Sequence, residues 1–496
     1  MRQKATSGRQ EIPPVTESNL LIKSSSWVLA VSWINRLMGL LSVFILARIL
    51  SPEAFGAFAI LTIVVQLADV LSNFGVEQYY IQKKNATLSD LNSCWSFNLL
   101  VKLLISLTLF STASLAANFF DKAHLTLAFQ VISALPFINA LNNGYIFHLK
   151  RTLAFQKFIV FSGIGQLIGS ILAITIAYFS ESYWALIIGL LANNVVQVLL
   201  SYIVLKSRTH LTYSQLLSSL TFGKWMLLKN IVGHTRTKFD VWFAASFFPI
   251  NSIGGYSTMK DISMLPAREL IGPVFQVLYS YMSNQQASNE RVYTTYVSML
   301  LIGVPCAVGL HTLAGELTYV MLGEKWVEYT PILANLAVLT LSFSAGNVVS
   351  DALISRGKVK DVFIYDSATL LLSLFALVIC YQMVLSANGL SLFRAAIGIF
   401  MLLSGLLWLS FCLRLNTLRL VRALFACGLA AGIMGVSVTF TLTLPLPTIF
   451  SLIISVIIGG VVYLTFLMLL VKISFFSKED KILLSSVSHA VIRKII

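Results

Sequence analysis

The sequence carries few charged residues for its length. Only 11% of its 496 residues are Asp, Glu, Lys or Arg, against about 25% in an average soluble domain. So few charges cannot cover a water-exposed surface, which excludes a soluble globular protein and a disordered chain. Because 57% of the residues are hydrophobic, the sequence predicts an all-α membrane protein embedded in the lipid bilayer.

Motifs for metal, cofactor and nucleophile chemistry are also missing. The sequence contains no Gly-rich phosphate loop, no HExxH, no CxxC and no GxSxG. Its five cysteines lie in or beside apolar runs without metal-ligand spacing. We therefore predict no catalytic residue, no bound metal and no cofactor. The net charge of +15 indicates membrane topology and not nucleic-acid binding.

Long apolar runs predict about 14 transmembrane helices, since one crossing needs about 20 mostly apolar residues. The run at 225–247 is the least hydrophobic of them. The predicted spans lie near 26–48, 54–80, 93–118, 124–147, 158–179, 183–205, 225–247, 253–283, 293–312, 329–352, 362–385, 389–412, 423–443 and 448–471.

The distribution of basic residues tests this count. With a cytoplasmic N-terminus, the cytoplasmic loops and tails hold 24 Lys and Arg residues, whereas the opposite loops hold three: Arg48, Lys122 and Lys325. Cytoplasmic loops characteristically carry such an excess. The asymmetry supports 14 crossings and predicts that both termini are cytoplasmic.

A short internal repeat relates the two halves of the chain. At an offset of 198 residues, Phe55-Gly56 aligns with Ile253-Gly254, and Phe58 aligns with Tyr256. Chance is an alternative explanation of so short a match. If the repeat is real, it predicts two parallel six-helix lobes with a substrate path between them. The predicted segments are a tail at 1–25, an N-lobe at 26–222 (helices 1–6), a C-lobe at 223–414 (helices 7–12), a C-terminal helix pair at 415–472 and a tail at 473–496.

Ionisable residues inside the spans are costly and commonly mark a transport pathway. At about 100° per residue, Lys229, Arg236 and Asp240 share one stripe of the seventh span, and Asp261 aligns with Arg268 in the eighth. The alternative is structural ion pairing of Arg236 with Asp240, Asp261 with Arg268, and Arg36 with Asp69. The basic excess favours a cationic cavity that suits an anion such as phosphate. Its predicted substrate-binding residues are Arg36, Lys102, Lys229, Arg236, Lys260 and Arg268.

Two stretches of the sequence resemble a known family. Arg36 and Arg48 lead into ILSPEAFGAFAI, and Asp69 then precedes FGVEQYYIQKK, which resembles the opening hairpin of Wzx-type oligosaccharide flippases of the MOP exporter superfamily. The second stretch, KFDVWFAASFFPINSIGGYSTMKDISMLP, resembles the seventh and eighth helices of that family. The resemblance runs over nearly the whole chain and is strongest in 27–90 and 223–270.

The resemblance implies a flippase of the bacterial inner membrane. Its substrate would be an undecaprenyl-pyrophosphate-linked oligosaccharide, moved from the cytoplasmic to the periplasmic leaflet by alternating access for O-antigen, capsule or exopolysaccharide synthesis. Coupling to protons or sodium would involve Asp69, Asp240 or Asp261. The implied protein partners are a polysaccharide polymerase and a chain-length regulator, and no nucleic acid is implied.

Other functions stay open at this point. One alternative is a MATE-like drug or ion antiporter, which has twelve helices and usually a less basic cavity. Another is a flippase for a peptidoglycan precursor or a teichuronic-type unit, and the charge of the cavity does not distinguish these substrates from the predicted oligosaccharide. A membrane glycosyltransferase or polymerase needs a large external loop, whereas the longest one here spans only about 313–328. That loop is expected to form a solvated or interfacial cap that includes Trp326.

Overall fold

The computed structural model describes residues 18–83, 85–152, 154, 156–212, 216–283 and 289–472. These residues form helices and connecting turns, with no β-strand among them. The predicted tail at 473–496 and most of the predicted tail at 1–25 lie outside the described residues. The prediction of an all-helical membrane protein is confirmed.

The described residues of the first half form ten α-helices. A short 3-10 turn at Ala123–Leu125 precedes the sixth of them. The helices are α1 (Ser18–Ile49), α2 (Pro52–Ser72), α3 (Val76–Gln82), α4 (Leu88–Ser111), α5 (Ala113–Phe119), α6 (Thr126–Ile132), α7 (Leu135–Ala140), α8 (Tyr145–Arg151), α9 (Gln156–Ser180) and α10 (Trp184–Val204).

Within the part of the second half that the structure describes, there are eleven α-helices. A π-helical turn at Pro266–Ile271 separates the second of them from the third, and 3-10 turns lie at Glu324–Tyr329 and Tyr381–Val384. The helices are α11 (Leu216–Phe247), α12 (Ile250–Ser263), α13 (Gly272–Ser283), α14 (Asn289–Thr312), α15 (Ala314–Leu322), α16 (Thr330–Leu336), α17 (Val338–Ser355), α18 (Val359–Ile379), α19 (Ala387–Leu413), α20 (Thr417–Leu442) and α21 (Thr448–Lys472).

Local side-chain chemistry explains where several helices begin. Ser51 accepts a hydrogen bond from Ala54 N at 3.3 Å, and Pro52 opens the first turn of α2. Thr87 and Asp90 form a reciprocal capping box at the start of α4. These groups satisfy N–H donors that the first turn of a helix leaves unpaired. The positions of both helix starts are therefore encoded locally.

The predicted number of crossings is close to the number in the structure. Twelve helical stretches of the described residues are long and apolar enough to span a bilayer, and they match predicted spans 1–6 and 9–14. Helices also occupy the seventh and eighth positions, where α11 carries Arg236, Lys238 and Asp240, and α12 is only 14 residues long. Fourteen crossings therefore remains a prediction at these two polar positions.

The repeat at offset 198 coincides with a symmetric helix crossing. A Cβ atom added to Gly56 of α2 would lie 1.9 Å from Ile250 O, and one added to Gly254 of α12 would lie 1.8 Å from Pro52 O. Pro52 and Ile250 are themselves 198 positions apart. Only glycine permits so close a backbone approach. This reciprocal contact supports the repeat, while the division into lobes stays a prediction.

The crossing lies within a shared hydrophobic core. Buried residues of α2, α11, α12 and α16 form one cluster, so the two halves pack directly against each other there. A second cluster joins α14 and α17 to α20 and α21. Tyr463 of α21 donates a hydrogen bond to Leu301 O at 3.0 Å. The C-terminal helix pair is thus attached to the second half of the chain.

Candidate functional site

One candidate site is a cavity between the first and second halves of the chain, here called the central cavity. It has a volume of about 750 Å³ and is walled by α1, α2, α9 and α10 on one side and by α11, α12 and the π-helical turn on the other. Most of its lining side chains are apolar. Its charged lining residues are Arg36, Asp69, Lys238, Lys260, Asp261, Arg268 and Glu269.

The structure brings five of the nine predicted site residues to this cavity. They are Arg36, Lys260 and Arg268 among the predicted cationic groups, and Asp69 and Asp261 among the predicted carboxylates. Lys102 lies in a neighbouring hollow of about 640 Å³, here called the intermediate cavity, which also includes Asp69 and so adjoins the central cavity. The structure places Lys229 in α11 but does not describe its side chain.

Arg236 and Asp240 are placed differently from the prediction. Neither residue lines the central cavity. Arg236 of α11 forms an ion pair with Asp366 of α18, and Asp240 is fully buried among α11, α12 and α19. Arg236 and Asp240 therefore contact neighbouring helices. Helical periodicity shows which side chains share a face, but it does not show which neighbour covers that face.

Lys238 is the cavity-facing cation of α11, and it is absent from the predicted set. It lies about 200° around the helix from Arg236 and lines the central cavity together with Val241. Among the described residues, no carboxylate lies within ion-pair distance of Lys238. The charge of Lys238 within the seventh span was the available sequence signal. The helical periodicity favoured the opposite face, which carries Lys229, Arg236 and Asp240.

Most predicted cations have an acidic partner. Arg36 of α1 meets Glu269 of the π-helical turn at 3.2 Å across the two halves. Lys102 of α4 meets Asp69 of α2 at 2.5 Å. Arg268 meets Asp261 at 3.1 Å, as the structural alternative predicted. The proposed pairs Arg36–Asp69 and Arg236–Asp240 do not form. The central cavity is therefore lined by charges of both signs, and Lys238 adds a cation with no ion-pair partner among the described residues.

The Asp240 cluster, defined as Asp240, Tyr256, Lys260 and Arg394, is buried. Lys260 Nζ lies 2.6 and 2.7 Å from the two carboxylate oxygens of Asp240, Tyr256 donates its hydroxyl at 2.7 Å, and Arg394 Nε lies 3.3 Å away. The Arg394 guanidinium also lies over the rings of Phe239 and Phe343. Protein groups thus already surround Asp240, which was a predicted ion-coupling residue.

The π-helical turn explains how Arg268 and Glu269 reach the cavity. Pro266 lacks an N–H donor, which interrupts the hydrogen-bond ladder of a helix. The resulting wider turn places both charged side chains at the cavity wall. Such π-helical insertions are frequent at functional sites. Pro266 was the available sequence signal for this interruption.

The segment 313–329 packs against the end of α1. Trp326 is fully buried and donates a hydrogen bond to Ala47 O at 2.8 Å. Lys325 donates to Ile49 O at 3.0 Å, and Arg48 donates to Val320 O at 2.5 Å. The expected solvated or interfacial cap is therefore wrong for Trp326. The segment instead binds the carbonyl end of α1, where donors and positive charge are favourable.

Among the described residues, no group of three or more His, Cys, Asp or Glu side chains could hold a metal ion. The central cavity combines charged side chains with apolar walls, which suits binding by charge and shape. A polar, ionic headgroup could meet its charged residues while an apolar portion contacts its walls.

Comparison with known proteins decides the family. The model of a family described as "Polysaccharide biosynthesis protein" matches residues 45–331, more than half of the chain. The chain belongs to this family. The predicted resemblance to polysaccharide biosynthesis and transport proteins is thereby confirmed.

Two curated relatives illustrate this membership. The chain is 24% identical to the lipopolysaccharide biosynthesis protein WzxC of Escherichia coli K12 over 372 residues, which cover 73% of this chain and 75% of WzxC. It is also 24% identical to the succinoglycan biosynthesis transport protein ExoT of Rhizobium meliloti over 304 residues, which cover 60% of this chain and 61% of ExoT.

Solved structures show the same fold. The lipid II flippase MurJ in an inward closed conformation matches with a TM-score of 0.71 at 17% identity, covering 89% of this chain and 97% of MurJ. An inward-facing MATE multidrug transporter of the MOP superfamily matches with a TM-score of 0.60 at 14% identity, covering 78% of this chain and 97% of the transporter. The protein is a multi-pass membrane protein with a MurJ- and MATE-like fold.

Proposed function

We propose that this protein is a flippase for an undecaprenyl-pyrophosphate-linked oligosaccharide. It moves the substrate from the cytoplasmic to the periplasmic leaflet of the bacterial inner membrane, with both termini in the cytoplasm. The observation that carries this proposal is the central cavity, which combines apolar walls with Arg36, Lys238, Lys260 and Arg268. Relatives named for lipopolysaccharide and succinoglycan biosynthesis, and a structural neighbour named as a lipid II flippase, support the substrate class.

The pyrophosphate is assigned to Arg36 and Lys238. Arg36 is partly exposed to the cavity and is held by Glu269 across the two halves. A guanidinium binds phosphate oxygens through paired hydrogen bonds, and an ammonium acts as a point charge. An incoming diphosphate can therefore replace Glu269 as the partner of Arg36. This exchange loosens a contact between the two halves, as alternating access requires.

Alternating access also requires contacts between the two halves of the chain to separate. In the described conformation, α2 crosses α12 at Gly56 and Gly254, and Trp326 binds the end of α1. Both contacts join the first half of the chain to the second and must separate for the headgroup to leave on that side. The lipid tail remains in the bilayer while the headgroup crosses.

Asp69 is the carboxylate best placed for coupling to a proton or sodium gradient. Its side chain is 35% exposed, lines both the central and the intermediate cavity, and pairs with Lys102. A carboxylate in this position is accessible to an ion from the cavity. Asp261 is also on the cavity wall, whereas Asp240 is enclosed by Lys260, Tyr256 and Arg394.

The decisive experiment deletes the chromosomal gene and restores it as wild type or as the double variant Arg36→Gln with Lys238→Gln. We expect the wild type to restore surface polysaccharide. The double variant should leave the lipid-linked oligosaccharide in the cytoplasmic leaflet, because the headgroup loses both cations. The matched control is Lys360→Gln, which removes the charge of an exposed lysine on α18. A strain with this variant should export polysaccharide normally.

The outcomes separate the competing functions. Full polymer output from the well-expressed double variant would contradict the assignment of the pyrophosphate to these residues. Unchanged polymer in the deletion strain, together with a new sensitivity to cationic dyes, would instead indicate a drug antiporter. An accumulated oligosaccharide already in the periplasmic leaflet would indicate a later step such as polymerisation. Polymerase and chain-length regulator partners would be tested by co-purification from the same strain.

A further inference from the structure

A third hollow lies in the first half of the chain and is here called the amide pocket. It has a volume of about 240 Å³ and lies among α3, α4, α9 and the turn between α7 and α8. Its lining contains an unusual number of neutral amide side chains: Asn73, Gln78, Asn98, Asn139, Asn142 and Asn143. The lining also includes three charged residues that are held in ion pairs: Lys150 pairs with Glu77 at 2.7 Å, and Lys102 pairs with Asp69. Amides beside such paired charges suit a ligand rich in hydroxyl groups, because each amide can both donate and accept.

Two buried acceptors in this pocket have no partner. Gln78 Oε1 and Asn142 Oδ1 are inaccessible, and neither accepts a hydrogen bond from any described residue. A buried polar atom without a partner is costly and therefore needs an explanation. Asn143, in contrast, is satisfied, since its Nδ2 donates to Ser207 O at 2.9 Å and its Oδ1 accepts from Tyr145 N at 3.1 Å. Gln78 and Asn142 therefore have an acceptor oxygen without a partner, whereas Asn143 does not.

The turn that carries Asn142 is held rigidly. Trp95 Nε1 donates to Asn142 O at 2.9 Å and to Ala140 O at 3.2 Å. Gly144 packs so closely on the Trp95 ring that an added Cβ would lie 2.7 Å from it. Asn142 Nδ2 donates to Asn139 O at 3.0 Å, which fixes the direction of its free oxygen. A preorganised acceptor of this kind binds a ligand at a reduced entropic cost.

The amide pocket is connected to the proposed pyrophosphate site. It shares Asn73, Lys102 and Asn139 with the intermediate cavity, and the intermediate cavity shares Asp69 with the central cavity. The series of hollows therefore runs from a compartment with seven charged lining residues to a compartment in which six neutral amides outnumber three charged residues. An oligosaccharide diphosphate has the same order of chemistry, from its charged headgroup to its neutral sugars.

The volume limits what the amide pocket can hold. Pockets for drug-sized molecules measure about 300–1,000 Å³, so a hollow of 240 Å³ suits a smaller ligand, such as a single sugar ring. We propose that the amide pocket is a saccharide subsite that binds one neutral pyranose of the substrate, with Gln78 and Asn142 accepting hydrogen bonds from its hydroxyl groups. This inference rests on the proposed flippase function.

The test measures sugar binding without the lipid carrier. The purified full-length protein in nanodiscs is examined by saturation-transfer difference NMR with methyl glycosides of glucose, galactose, mannose and N-acetylglucosamine. We expect at least one glycoside to receive saturation from the wild type. The double variant Gln78→Leu with Asn142→Leu should weaken this binding by about tenfold, since both acceptors are lost.

Two control variants make the result specific. Asn194→Leu removes an amide on α10 that does not line the amide pocket and should bind like the wild type. Gln78→Glu keeps an acceptor oxygen and should retain most of the binding, whereas a general loss of structure would remove it. Size-exclusion profiles check that each variant is folded, and Gln78→Leu alone replaces the double variant if the latter aggregates.

The outcomes separate the subsite from the proposed function. Absent glycoside signals, or equal signals from wild type and the Leu variants, would overturn the subsite even if the protein exports polymer. Amide-dependent binding in a protein whose deletion leaves polymer export intact would support the subsite and overturn the flippase function. The saccharide subsite and the flippase function are both supported if the Leu variants lose glycoside binding and also lower polymer export in the deletion strain.

Discussion

The Asp240 cluster and the Arg36–Glu269 pair use the same side-chain types in two different environments. Asp240 is 0% exposed and Arg394 is 1% exposed, and their contacts join helices within the second half of the chain. Arg36 and Glu269 are 38% and 25% exposed and join the two halves across the central cavity. An ion pair that is closed off from water is costly to break, whereas one that faces a cavity can exchange partners. The first environment therefore favours a structural role and the second favours ligand binding.

The largest expected effect comes from removing the acidic member of the Asp240 cluster. Asp240→Ala leaves Lys260 and Arg394 buried without a counter-charge, which costs about 3–5 kcal/mol when one partner of a buried pair is removed. We expect severe loss of folded protein, measured as the monodisperse fraction after extraction and as the melting temperature. Asp69→Ala, at a partly exposed pair, is the matched control and should fold. A normal yield of Asp240→Ala would contradict the structural role.

The next effect separates two arginines that the sequence grouped together. Arg36→Ala removes a charged contact to the proposed diphosphate, worth about 1.5–3 kcal/mol, and should lower polymer export by tenfold or more with little change in thermal stability. Arg236→Ala removes a largely buried ion pair between α11 and α18, away from the central cavity, and should lower stability more than Arg36→Ala does. Export and melting temperature are measured for both variants. A larger transport defect per folded molecule in Arg236→Ala would reverse this assignment.

A smaller effect is expected at the predicted coupling carboxylate. Asp69→Asn keeps the size of the side chain and removes its charge, so Lys102 loses its acidic partner. We expect the variant to fold and to flip substrate slowly, with little response to an imposed proton or sodium gradient. The measurement is substrate flipping in proteoliposomes with and without each gradient. Asp261→Asn serves as the comparison, and an unchanged gradient response in both variants would exclude these carboxylates from coupling.

The smallest effect on stability is expected for the most exposed pair. Arg268 and Asp261 are 50% and 66% exposed, and solvent-exposed ion pairs contribute only about 0–1 kcal/mol. Arg268→Gln should therefore change the melting temperature only slightly. A loss of polymer export in this variant would then indicate that the Arg268 side chain contacts the substrate. A marked loss of stability would show that solvent exposure does not distinguish the buried Asp240 cluster from the ion pairs that face the central cavity.

Some features of the site could be predicted from residue patterns. The charges in the seventh and eighth spans indicated functional helices, and both helices do wall the central cavity. The offset of 198 residues identified Gly56 and Gly254, which meet at the crossing of α2 and α12. Glycine and intramembrane charge are informative in sequence because each is costly unless the structure requires it.

Other features depended on contacts between distant segments. Glu269 as the partner of Arg36, Asp366 as the partner of Arg236 and the burial of Trp326 against Ala47 join residues far apart in the chain. Periodicity gives the angle between side chains on one helix, but it does not give the rotation of that helix against its neighbours. Lys238 was missed for this reason.

The sequence by itself determined that this is a multi-pass helical membrane protein, because scarce charge and repeated apolar runs leave only structures whose backbone groups pair internally. It also indicated the family, which the match over residues 45–331 shows, and the helices that carry polar groups. Only the tertiary structure decided which charges meet, which face of α11 lines the central cavity, and where unpaired amide oxygens collect. These depend on how helices are rotated and packed, and many packings satisfy the same apolar pattern.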